Sequence, residues 1–382
     1  MDEREFTSVI SGEVRSHYGE YVYFHPHDLP FDIGISNDIR KKITKAVISL
    51  SRLDGIASEM NESERDVFLK AFTLKESSHS SSIEGTRSTM DDLYRYEKES
   101  PVTEDRMRDA REVLNYRDAL KLGLKAIAEG KGLSVNLLHE MHRILMSGVR
   151  GEKKSPGQFK TTQNAIGVVG DTLETAKMVP AHPGAVEHLI DNLLEYIDSD
   201  EDPMIKIALV HYQFEVIHPY RDGNGRIGRL LIMLLLANED ILHYPVIYPS
   251  GYFDRRRGEY IDRLFGVSSK DGFEEWFDFF TDAMIEQSEE SIGTINGLKA
   301  YKKKLKSMVT SKNASDVVDL LFMNPYINSR DVMEHCGISS PTANKILQSM
   351  CEQGILREVS GRKRNLLYSA DGILEIMAGK RY

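Results

Sequence analysis

Residues 218–229 read HPYRDGNGRIGR and sit between two strongly apolar stretches, and no other segment limits the fold so tightly. Upstream, residues 203–217 place Ile205, Ala208, Leu209, Tyr212 and Val216 at helical spacing. Pro219 disfavours helical backbone at His218. The apolar pattern resumes at about Arg226 and runs to Asn238, which predicts a second helix covered by protein on every side. The expected arrangement is therefore helix, short loop, helix, in a mainly α chain.

The loop carries a consistent chemistry. Gly223 and Gly225 lack a Cβ and can take positive φ, so backbone N–H groups converge on one point. That point lies at the amino end of the next helix, where free N–H groups and the macrodipole favour an anion. Arg226 and Arg229 are three apart and share a face near that end, each able to clamp phosphate oxygens. Asp222 is a hard oxygen ligand suited to Mg²⁺, and Asn224 adds a neutral donor and acceptor. His218 opens the loop, placed to take a proton from an incoming hydroxyl.

Other readings of the segment fail on spacing. A calcium loop beginning at Asp222 would need oxygen ligands at Arg226 and Met233. No G-x-x-x-x-G-K-[ST] motif is present, and no kinase signature. The HEMH of His139 and His142 lacks the spacing of a zinc protease. Two cysteines, Cys336 and Cys351, are too few for a disulfide framework and read as core. The longest apolar run, residues 230–237, falls well short of the ~20 residues that span a bilayer. With an acidic amino-terminal segment and no apolar signal core, a soluble, cytoplasmic chain without membrane partners is expected.

The segment 218–229 resembles the Fic-domain signature HPFx[D/E]GNGRxxR, differing at a fixed position only by Tyr220 in place of Phe. The resemblance extends over roughly residues 40–300 and includes GQFKTTQNAIG at 157–167, similar to the GxFRxxQNWIG lead into the family's flap, with Ala165 where Trp is common. The fold it implies is the Fic helical fold with a small β-hairpin flap. The chemistry it implies is protein AMPylation: AMP moves from ATP, the substrate, to a Ser, Thr or Tyr hydroxyl, and pyrophosphate leaves. His218 would be the general base and Asp222 the Mg²⁺ ligand. Gly223, Asn224, Gly225, Arg226, Ile227, Gly228 and Arg229 would form the ATP phosphate site. Tyr252 and Tyr260 resemble positions lining the adenine pocket. The motif governs phosphate geometry, so ATP over other nucleotides comes from the family alone.

Residues 80–85, SSSIEG, resemble the family's inhibitory motif [S/T]xxxE[G/N], with Ser80 first, Glu84 the carboxylate and Gly85 last. The resemblance implies that Glu84 pairs with Arg229 and removes a phosphate partner, so the enzyme is autoinhibited. In some relatives this glutamate also supports removal of AMP, and the direction of reaction stays open here. The flap, residues 161–179, has β-branched residues around a Gly-Asp turn and reads as a hairpin. It resembles the element that registers a target-protein segment by strand addition.

The net charge of −10 is uneven. Residues 301–382 hold thirteen basic and eight acidic side chains, so an acidic body precedes a basic tail. Within residues 313–378, three short helices precede two strands around Gly361, Arg362, Lys363 and Arg364, which resembles a winged helix-turn-helix. Its third helix carries only Lys345 as a cation, leaving a DNA or a protein partner open. The expected organisation is an N-terminal helical segment with the inhibitory motif (1–105), a Fic catalytic core (106–300) and a winged-helix domain (301–382), with a homodimer as the expected assembly. The rival reading is a nucleotide-sensing, transcription-associated regulator acting through the winged helix.

Overall fold

The computed structural model describes residues 1–88, 90–97, 104–167, 170–362 and 364–379. The chain opens with an antiparallel hairpin, β1 (Gly12–His17) and β2 (Tyr21–Pro26), with Val14 opposite Phe24. Tyr18 and Gly19 both take positive φ, the backbone of a tight primed turn. Residue order alone suggests no role for this stretch. In the structure, Phe24 N–H donates to Val179 O at 2.8 Å, tying the hairpin to the end of the flap segment.

Helices follow. α1 (Asn37–Ser58) is capped by Ser36, whose side chain accepts from Ile39 N, and packs along the long helix Phe273–Met308 (α11). α2 (Glu62–Ile83) is capped by Asn61. Spacing alone stops α2 near Glu76, whereas it continues through the serine-rich stretch. The reason is burial: Ser77, Ser80 and Ser81 lie inside the protein, and Ser77 Oγ satisfies itself on Thr73 O at 2.6 Å. α3 (Met90–Glu97), α4 (Glu104–Ala128), α5 (Val135–Leu145) and α6 (Val186–Ile197) surround the centre.

The centre is α7 (Pro203–Ile217) against α8 (Asn224–Asn238). Asp202 caps α7 and Pro203 fills its first turn. Every residue from Met204 to Phe214 is buried, and so is every residue from Arg226 to Leu236. Lys206, 4% exposed within this layer, pairs with Glu239 at 3.1 Å. α9 (Pro249–Arg255), α10 (Arg257–Lys270) and α11 (Phe273–Met308) close the core, where Trp276 Nε1–H donates to Ala208 O at 3.0 Å.

The tail comprises α12 (Lys312–Met323), β3 (Tyr326–Asn328), α13 (Ser329–Cys336), α14 (Ser340–Glu352), β4 (Arg357–Glu358), β5 (Leu367–Ser369) and α15 (Asp371–Met377). Its sheet has three strands, ordered β3-β5-β4, rather than the two of the expected wing. Asn328, not Ser329, caps α13, in a capping box with Asp331. α11 runs unbroken across the expected boundary at 300/301. Lys363 of the wing turn lies outside the described residues.

The flap departs from a regular hairpin. Among the described residues its arms meet in one bridge, Ile166 with Met178. Thr172 and Thr175 exchange side-chain and backbone hydrogen bonds across the tip, which competes with a strand ladder. Val168 and Val169 lie outside the described residues. No helix among the described residues is long and apolar enough to cross a membrane.

Candidate functional site

The loop between α7 and α8 is held in an unusual backbone state. His218 closes α7 with φ 51° and ψ 58°, left-handed backbone that costs a non-glycine residue ~1–3 kcal/mol unless its surroundings enforce it. Asn224 staples the loop: its Oδ1 accepts from Tyr220 N and its Nδ2 donates to Tyr220 O, both at 2.7 Å. Tyr220, fully buried, stacks on His142 with centroids 3.8 Å apart. His142 Nε2–H donates to Asp222 O at 2.9 Å, and its Nδ1 accepts from Gly157 N at 2.7 Å. Those two bonds require a neutral imidazole, and burial pushes the His142 pKa down to about 4.

His218 is half-buried, and its Nδ1–H donates to Glu215 O at 3.0 Å. A carbonyl only accepts, so Nε2 keeps the lone pair. Burial, followed by the nearby charge of Lys160, lowers the His218 pKa to about 4. The imidazole is therefore neutral near pH 7 and ready to accept a proton.

The phosphate side is built from α8. Gly223 precedes α8 with φ 78°, and no side chain caps the helix, so its first N–H groups remain available. Arg226 is 4% exposed, yet among the described residues its Nε and Nη1 have no hydrogen-bond partner, while Nη2 meets Met146 Sδ at 3.6 Å. Glu112 and Asp222 stand farther off, at 3.9 and 3.7 Å. A buried guanidinium left partly unsatisfied is costly, and an anion at the helix end is what relieves it.

Arg229 differs. Its Nε donates to Ser80 Oγ at 2.9 Å, and its Nη2 donates to Ser80 O at 3.0 Å and Glu84 Oε1 at 2.6 Å. Glu84 caps the end of α2, followed by Gly85 at φ 93°. Burial raises the Glu84 pKa, but the charge and hydrogen bond of Arg229 outweigh it and keep the carboxyl below its ordinary value. A methyl on Gly225 would collide with Glu84 Oε1, so this carboxylate lies directly over the mouth of the nest. Behind it, Tyr116 OH and the Ser250 side chain and N–H all bond Glu76, fixing α2 against α4 and α9.

Asp222 faces the same mouth. Its Oδ2 pairs with Lys154 Nζ at 2.8 Å and its Oδ1 accepts from Gly223 N at 2.8 Å. Burial works to raise its pKa; Lys154 and the N–H overcome that and hold the carboxyl low. Ile227 is plain core, and Gly228 lets α7 approach, its carbonyl accepting from His211 Nδ1 at 3.0 Å.

Tyr252 and Tyr260 pack beside this site, with Tyr260 next to Arg229. Both are buried, at 5% and 3% exposure. Tyr260 OH bonds His211 Nε2 at 2.8 Å within a stack that includes Phe253, and Arg256 covers the Tyr252 ring at 4.0 Å. An aromatic at helical spacing looks alike in sequence whether it packs or binds. Sequence reasoning also passed over His142, Lys154 and Lys160. The first two have no local signal, while Lys160 sits in the quoted 157–167 motif without a role.

Residues 132–236 match the Fic/DOC family, residues 40–125 the Fic/DOC family N-terminal region, and residues 298–370 the C-terminal domain described as "Protein adenylyltransferase SoFic-like". Protein adenylyltransferase fic-1 of Caenorhabditis briggsae is 30% identical over 152 residues, 37% of this chain and 27% of the relative. Probable protein adenylyltransferase aq_aa38 of Aquifex aeolicus is 34% identical over 91 residues, 23% and 26% of the two chains. These matches thus span about a quarter of the curated relatives' length. A crystal structure of a Fic family protein from Desulfovibrio desulfuricans G20 superposes with a TM-score of 0.57 at 19% identity, over 88% of this chain and 97% of that one, a likeness of fold.

Proposed function

The chain carries a Fic domain, and from that premise we propose that it is a protein adenylyltransferase held in check by its own Glu84. The observation that carries this reading is Arg226: a guanidinium 4% exposed, two of its nitrogens without hydrogen-bond partners among the described residues, at the open amino end of α8. It waits for an anion, and a polyphosphate is the anion whose length also reaches Arg229.

In the proposed reaction a target Ser, Thr or Tyr oxygen attacks the α-phosphorus of ATP. His218 Nε2 takes the hydroxyl proton, the new phosphoester bond forms, and the bond to the β-phosphate bridging oxygen breaks. Pyrophosphate leaves with its charge neutralised by Arg226, Arg229 and the N–H groups of the nest. Catalysis of this kind is mostly positioning and charge stabilisation. Asp222 would hold Mg²⁺, which when bound supplies further neutralisation of the phosphates. The residue fits that role, being a partly exposed carboxylate whose partner Lys154 has a side chain 52% exposed and free to swing away. The target segment would lie along the flap, residues 161–179.

Glu84 would block this by occupying Arg229 and lying over Gly225, where the distal phosphates belong. Glu84→Gly is expected to raise AMP transfer about ten-fold or more, the gain from freeing one charged hydrogen-bond partner. Purified protein incubated in turn with labelled ATP, GTP, UTP and CTP checks this, with the adduct read by mass. No incorporation from any nucleotide would favour the nucleotide-sensing reading instead. The tail supports a protein contact more than DNA, because the exposed face of α14 carries Lys345 as its one cation.

A further inference from the structure

His218 alone cannot hold its left-handed backbone, and the groups that hold it come from the root of the flap. Four consecutive carbonyls, those of residues 217 to 220, are captured by two side chains and one N–H. Lys160 Nζ donates to Ile217 O at 3.1 Å, and Lys160 N–H donates to Pro219 O at 2.7 Å. Asn164 Nδ2 donates to His218 O at 3.3 Å and to Tyr220 O at 2.9 Å. Lys160 Nζ also donates to Asn164 Oδ1 at 2.8 Å, which joins the two residues into one clamp.

Lys160 is 2% exposed and forms no ion pair among the described residues. Desolvation pulls its pKa down to about 7, a measure of how poorly this position suits a charge. A hydrophobic side chain would be easier to bury there, so the amine has a task that its stem cannot perform. The groups facing the His218 ring are Lys160, Glu84, Asp222 and the Glu215 carbonyl. Lys160 is the cation among them.

We infer that Lys160 and Asn164 are positioning residues for the transfer reaction: they lock the backbone of His218 so that Nε2 meets the acceptor hydroxyl. The clamp joins the element that would register the target to the base that would activate it. This inference rests on the adenylyltransferase reading, and its test separates the two.

In the Glu84→Gly background, Lys160→Met should lower kcat about 10–100-fold, the usual cost of a misplaced catalytic group, with the ATP KM held within about two-fold. In nuclear magnetic resonance of labelled histidine, the His218 resonance, assigned by its loss in His218→Gln, should titrate at higher pH in Lys160→Met. Lys160→Arg should restore most of the rate. Asn164→Leu should lower the rate without moving the His218 titration upward, since the cation remains. The clamp is overturned if Lys160→Met leaves both kcat and the His218 titration where the parent has them, or raises KM alone. A Glu84→Gly parent that transfers nothing sinks the function reading, while the titration still reports on the clamp.

Discussion

On one side of the 218–229 loop, α2 ends by laying the Glu84 carboxylate on Arg229; on the other, residues 160–164 bind the loop through backbone carbonyls. Both grips are local and largely buried, yet they act on different partners. The α2 side occupies a cation that a phosphate needs. The flap side occupies backbone carbonyls, which a phosphate cannot use, and it leaves His218 Nε2 free. Loss of the first grip should therefore raise activity and loss of the second should lower it. Tight contact around an active site does not by itself say whether the contact builds the site or closes it. The chemical identity of the atom consumed decides.

The sharpest way to break this division is through the base. In the Glu84→Gly background, His218→Ala should lose about 10²–10⁴-fold in AMP incorporation while calorimetry still detects ATP binding. Incorporation at the parent rate would remove the base from the mechanism. The two arginines offer a second contrast. Arg226→Met should weaken ATP binding about 10–100-fold, the value of charged hydrogen bonds lost. The nucleotide-free protein should unfold at the same temperature or higher, because an unsatisfied buried cation has been replaced by an apolar stem. A clear drop in melting temperature would mean that Arg226 is already satisfied.

The smallest effect concerns the buttress beneath Tyr220. His142 is neutral in the fold, its pKa lowered to about 4, while the unfolded chain binds that proton near pH 6.5. Its contribution is fully present above about pH 6.5 and is lost as the pH falls toward 4. His142→Phe keeps the ring but cannot take the proton. Measured by urea unfolding from pH 7 to pH 5, wild type should lose stability relative to this variant, at up to ~1.4 kcal/mol per pH unit. Parallel curves would show that folding leaves the His142 proton affinity unchanged.

Much of the centre was legible from residue order, for reasons visible in the packing. α7 and α8 are apolar all round because protein covers them all round, and the polar loop between them stands out against that background. Glu84 was found by its resemblance to a short pattern; the helix that delivers it was not. Eight residues rich in serine look like a loop until the fold puts Ser77 Oγ on the Thr73 carbonyl and Ser80 Oγ on Arg229. The clamp was hidden for a related reason. A lysine at 160 reads as surface, and only the fold shows that its ammonium ends on the carbonyl before His218. Tyr260 shows the converse, since its spacing fits a pocket wall and a core position equally, and in the structure its ring is buried with the hydroxyl on His211.

α11 holds 36 residues, a rod ~54 Å long, and passes from beneath the α7 layer to the three-stranded tail without interruption. Gly293 and Gly297 lie within it, where helix interiors ordinarily suffer from glycine, and at Gly297 the missing side chain is what admits Ile376 of α15. The tail is thus mortised onto the same beam that seats Trp276. Between the tail and the α7 layer the beam has no break at which the two could turn independently.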